Sequence, residues 1–152
     1  MSAAVGLACS IKDGLPVVHA AILNGGTIEL FFRHSAAAHD DWALQLRSLH
    51  DMTVTSLGNI DIDSVVVRGP DYNSRRGLTA PTSRRLAAEG VLVAAARQQV
   101  TKVAYLTGKE VGERLGIDKA EIEERAVSMG CSNVLKQAGA AALAAQALRN
   151  DE

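Results

Sequence analysis

The sequence predicts an α/β domain on a five-stranded mixed sheet in the order 3-2-1-4-5, with strand 2 antiparallel to its neighbours. Three observations lead there. The chain opens with three apolar runs joined by two short turn signals, Lys12-Asp13-Gly14 and Asn24-Gly25-Gly26. Two further apolar runs, 62–67 and 102–106, each follow a stretch with helical spacing. The last third is rich in alanine and lacks strand alternation.

Each element has a local reason. Residues 4–11 form a continuous apolar run, the pattern of a buried strand. Pro16 restarts the chain for a second strand over 17–23, and 27–32 makes the third. Asp40 or Asp41 is placed to cap a helix carrying Trp42, Leu46, Leu49 and Leu57 near one face, with an αL end at Gly58-Asn59. Residues 62–67 form the fourth strand, which follows a helix and so lies parallel to the first. An arginine- and hydroxyl-rich loop, 69–81, leads to a helix over 83–99 with a stripe of Ala87, Gly90, Val91, Ala94 and Ala95. The fifth strand is 102–106. Helices follow over 110–115, 119–129 (capped by Asp118) and 134–148 (capped by Ser132 or Asn133). This βββαβαβ order is the RNase H-like one, and the 152 residues read as one domain, 1–152.

Composition narrows the function. The chain is 47% hydrophobic and 22% charged, so it is globular. Aromatics are only 3%, which disfavours base-stacking platforms. A net charge of −1 means that any nucleic-acid contact must come from a local patch. Cys9 and Cys131 form no disulfide framework and no zinc spacing, and read as reduced core thiols. No stretch is long and apolar enough to span a bilayer and no leader pattern is present, so a cytoplasmic protein is expected.

The second half carries a closer likeness. Arg84 through Ala95, then Lys102-Val103-Ala104-Tyr105, Lys109 through Gly116, Lys119 in a first helical turn and Ala140 through Ala145 follow one another with a particular spacing. Together with Gly6-Leu7-Ala8-Cys9-Ser10, they resemble RuvC-type Holliday-junction resolvases. The resemblance implies a dimer, and four carboxylates holding two divalent ions for phosphodiester cleavage. Carried over by position, those acids fall on Ala8, Arg68, Ala138 and Ala141, none of which is Asp or Glu. A divalent ion needs anionic oxygen ligands, so no catalytic residue, metal or other cofactor is expected. A relocated centre would have to use Asp13, Asp61, Asp63 or Asp71.

Binding candidates remain. Arg68, Arg75, Arg76, Arg84 and Arg85, with Ser74, Thr79, Thr82 and Ser83, suit phosphate oxygens on nucleic acid or on a small ligand. Alternatively the loop is an exposed basic one, or Arg68 pairs with Asp71 or another acid and fills the pocket. Lys109 and Lys119 lie where the resolvases use basic residues against DNA, but Glu110, Glu113, Glu121, Glu123 and Glu124 surround them. His34, His39, Asp40 and Asp41 match no metal motif with a mechanism, and His19 and His50 look isolated. Three readings follow: a catalytically inactive protein that binds branched or duplex DNA, a homodimeric interaction module, and a metal nuclease with relocated acids.

Overall fold

The computed structural model describes residues 3–38, 41–71 and 79–150. In chain order these form β1 (Ala3–Lys12), β2 (Leu15–Asn24), β3 (Thr27–Ser35), α1 (Trp42–Leu57), β4 (Ile62–Arg68), α2 (Ala80–Gln99), β5 (Lys102–Leu106), α3 (Gly108–Glu113), α4 (Lys119–Ser128) and α5 (Lys136–Asn150). The sheet order is β3-β2-β1-β4-β5, as the sequence predicts. Strands β1, β2 and β3 pair antiparallel, whereas β4 and β5 run parallel to β1. Asp13 and Gly14 both take positive φ, 52° and 78°, so a two-residue turn closes the first hairpin with a twist matching its strands.

The parity of the strands sorts side chains to two cores, one on each face of the sheet. Val5, Leu7, Val65 and Val67 pack with Leu49 and Leu57 of α1 and Ala88, Leu92 and Ala96 of α2. Ala4, Ala8, Val66 and Leu106 pack on the other face under α5, α3 and α4. Alanine supplies almost all of α5's buried residues, so this helix lies unusually near the strands. Gly6 sets the contact. A Cβ there would run into the Ala138 carbonyl oxygen and the Ala142 amide nitrogen of α5. The Ser64 hydroxyl donates to the Ala145 carbonyl at 2.6 Å and fixes the far end of the same helix.

Several boundaries differ from the sequence reading. Helix α2 starts at Ala80, three residues early, because Thr79 caps it and Pro81 sits in its first turn, where no N–H is needed. Its small-residue stripe is split between the two faces. Ala88, Glu89, Leu92, Ala95 and Ala96 are buried, while Ala87, Gly90 and Ala94 face outward. Helix α3 begins at Gly108, because Thr107 and Glu110 form a reciprocal capping box. Gly58 ends α1 in the right-handed region (φ −77°), not in αL. Helix α4 ends at Ser128, and α5 runs from Lys136 to Asn150 instead of over 134–148.

Candidate functional site

The carboxyl ends of β1, β4 and β5 form the end of the sheet where α/β folds place ligands. Ala8, Arg68 and Leu106 stand side by side there, since Arg68 pairs with Ala8 on one side and with Leu106 on the other. Ala138 and Ala141 of α5 are buried in the same apolar cluster as Ala8. Ala8 and Arg68 are thus neighbours at this corner, and Ala8, Ala138 and Ala141 are buried methyl groups of one apolar cluster.

Arg68 occupies the corner. Only 2% of its surface is exposed. Its Nη1 donates to the Gly69 carbonyl, and its Nη2 donates to Asp71 Oδ2 at 3.1 Å. Lys119, from the first turn of α4, donates to the same Asp71 oxygen. One carboxylate therefore bridges two cations. Partial burial pushes the Asp71 carboxyl upward, but the Lys119 hydrogen bond and the Arg68 charge outweigh it and hold the group below its ordinary range. Gly108, at the start of α3, leaves the room this cluster needs. A Cβ there would collide with the Arg68 guanidinium and with Asp71 Oδ1.

This donor set does not fit a divalent cation. Methyl groups donate no electron pair, and a guanidinium repels the ion. The acids considered for a relocated centre are elsewhere or engaged. Asp13 is in the β1–β2 turn, and Asp63 is near the opposite end of β4, bonded to Arg149 at 3.3 Å. Asp61 precedes β4, where its backbone carbonyl accepts from Ala3. Among the described residues no group of three or more His, Cys, Asp or Glu suits a metal.

The other sequence candidates do not converge on the corner. The Arg84 guanidinium lies 5.2 Å from the centre of the Trp42 ring and ties α2 to α1. Arg85 donates through Nε to Glu89 Oε2 at 2.9 Å. Lys109 is 85% exposed and 3.8 Å from Glu113, an ion pair of little weight. Arg75, Arg76 and Ser74 lie outside the described residues, as do His39 and Asp40. Asp41 caps α1 through the Ala43 amide. His34 sits 2.7 Å from the Ser56 hydroxyl and stacks on Phe32. Contrary to the sequence reading, His50 is not isolated, since its Nδ1 lies 3.0 Å from Asp51.

A second polar cluster was missed. Glu89, wholly buried under α2, accepts from Arg85 and, at 2.7 Å, from the Tyr105 hydroxyl of β5. Burial pushes its carboxyl upward, and the bonds from Tyr105 and Arg85 offset this only in part. The neighbouring Cys9 thiol is pushed up to about 12 by burial, with the Glu89 charge adding to it, so it is an inert core thiol. The signal available in sequence was Arg85 at four residues before Glu89, a spacing that places both on one helix face.

Strand order, crossover pattern and helix placement together define the RNase H-like class of α/β fold. Within it, the chain has the fold of RuvC-like resolvases. The RuvC of Thermus thermophilus in complex with a Holliday junction substrate superposes with a TM-score of 0.64 and 13% identity, over 95% of this chain and 92% of that one. A second Thermus thermophilus RuvC structure gives 0.65 and 15%, over 92% and 90%. The yeast mitochondrial Holliday junction resolvase Ydc2 gives 0.50 and 13%, over 98% and 79%. No protein-family model matches the sequence, and no curated protein does. No helix among the described residues is long and apolar enough to cross a membrane.

Proposed function

We propose that this chain is a non-cleaving protein of the RuvC fold that binds branched or duplex DNA. The observation that carries the first half is Arg68: a dry guanidinium, bridged through Asp71 to Lys119, at the strand end where such a fold would need a metal-binding acid. Support for the second half is less direct. Two cations share one carboxylate at this corner, which leaves one positive charge in excess. Lys109 of α3 is exposed, and a solved neighbour holds a Holliday junction.

The test is a gel-shift titration of a four-way junction and of its component duplex at low salt, with and without Mg²⁺ or Mn²⁺. Binding that weakens steeply with salt, without strand cleavage in either metal, is expected. Metal-dependent cleavage that Asp71→Asn abolishes would instead establish a nuclease with relocated acids.

A second reading is a homodimeric interaction module. It is favoured by the internal engagement of Arg68, Arg84 and Arg85 and by the outward small-residue face of α2, where a Cβ on Gly90 would meet nothing within 4 Å among the described residues. A dimer by sedimentation, with no junction binding at low salt, would select it.

A further inference from the structure

The register of the sheet lines up a second set of cations. Arg68 pairs with Ala8, Ala8 with His19, and His19 with Arg33, so one row crosses β4, β1, β2 and β3. Opposed residues share a face, and strand parity puts Ser10 and Lys12 of β1 on the face of Ala8. A second row, Ser10, Val17 and Ser35, flanks the first. Ala8 belongs to the core under α5, but Ser10, Lys12, Arg33 and Ser35 are exposed on that face and His19 is partly so. Among the described residues no ion pair includes Lys12, His19 or Arg33. Glu29, the acid of β3, pairs with Ile22, which packs on the opposite core, so it lies on the other face. Asp13 lies past Lys12, in the turn. Burial and the charges of Arg33 and Lys12 hold the His19 ring below its ordinary range. A guanidinium, an ammonium, an imidazole and two hydroxyls together suit phosphate oxygens, not base edges or an apolar partner.

We infer that this exposed face of β1, β2 and β3 seats the phosphate backbone of a duplex DNA arm, with Lys12 and Arg33 as the main phosphate contacts and Ser10 and Ser35 as donors beside them. The inference rests on the DNA-binding reading above and gives that reading a surface. Arg33 is three strand spacings, about 14 Å, from Arg68 along the row, so the seat is continuous with the corner. Lys12 and Arg33 supply two charges at neutral pH, and a phosphate bound between them draws a proton onto His19 and adds a third.

The test is a fluorescence-anisotropy titration of a labelled duplex and a four-way junction across a salt series, with the wild-type chain, Lys12→Gln, Arg33→Gln and the double variant. The double variant should lose at least tenfold in affinity at low salt. Its plot of log K against log salt should flatten by about 2, roughly one for each phosphate contact removed. Both substitutions are at exposed positions, so the thermal midpoint should hold; if the double variant melts early, the single variants, each with a slope change of about 1, decide. The His19 ring signals should titrate at higher pH with duplex bound than without. A wild-type chain that binds neither DNA removes the DNA-binding reading and this surface together. Binding that survives the double variant but falls in Lys119→Gln keeps that reading and overturns the surface. Poly-L-glutamate held as tightly as the duplex through the same two residues would overturn it in favour of an acidic protein partner.

Discussion

The bridged corner makes an asymmetric prediction, in which removing the exposed partner costs more than removing the buried one. Arg68 is 2% exposed, whereas the Asp71 side chain is 44% exposed. Asp71→Asn leaves a dry guanidinium with little beyond the Gly69 carbonyl. Stripping one partner from a buried pair costs about 3–5 kcal/mol. The lower figure, ~3 kcal/mol, applies here because water reaches the Asp71 side and screens it. Arg68→Met keeps the length of the buried stem and removes the charge. Asp71 then still has Lys119 and water, and the loss is one charge-assisted bond, about 1.5 kcal/mol. In the double variant neither charge is stranded, so it should be no worse than Arg68→Met, a coupling of about 2–3 kcal/mol. Urea unfolding at neutral pH, analysed by linear extrapolation, resolves such differences. An Asp71→Asn variant milder than Arg68→Met, or costs that simply add, would refute the reasoning.

The remaining predictions concern pH and glycine. Asp71 is depressed below its ordinary 3.8, so its stabilising contribution is present above that pH and lost as pH falls below it. Glu89 is raised above its ordinary 4.5, so stability from this group is highest below about 4.5 and declines as pH rises through its folded value. Urea midpoints followed across the acid range should lose the first dependence in Asp71→Asn and the second in Glu89→Gln. Gly6→Ala drives a methyl into the α5 backbone and should cost about 3 kcal/mol or prevent folding, read as lost thermal cooperativity. Gly90→Ala meets nothing within 4 Å among the described residues and should stabilise the helix by about 1 kcal/mol in a thermal melt. If α2 is the dimer face, the same substitution weakens association in sedimentation.

Much of the fold was legible because strands and crossovers leave periodic marks. The two tight turns fixed the antiparallel half, and the Val-rich run before Arg68 fixed the crossover. The buried face of α2 was not legible, because alanines lie on both of its sides and hydropathy does not separate them. Leu92, and the inward Glu89 against the usual exposure of glutamate, decide the orientation only once β5 presents Tyr105. At the corner, the sequence offered Asp71 as a partner for Arg68. It did not show Lys119, which is 48 residues away from Asp71 along the chain and meets it only through the packing of α4.

The buried alanines of α5 also bear on how this chain can change over generations. Ala138 and Ala141 are sealed on the inward face of this helix, whose backbone leaves no room for a Cβ at Gly6 of β1. An acid arriving alone at either position would need room that the neighbouring backbone does not leave. Proteins live close to their stability threshold, so such single steps would be purged before a second acid could arrive. A lineage carrying this packing would thus not gain an acid at Ala138 or Ala141 in one step, while the outward faces of α2 and α4 stay free to drift toward new partners.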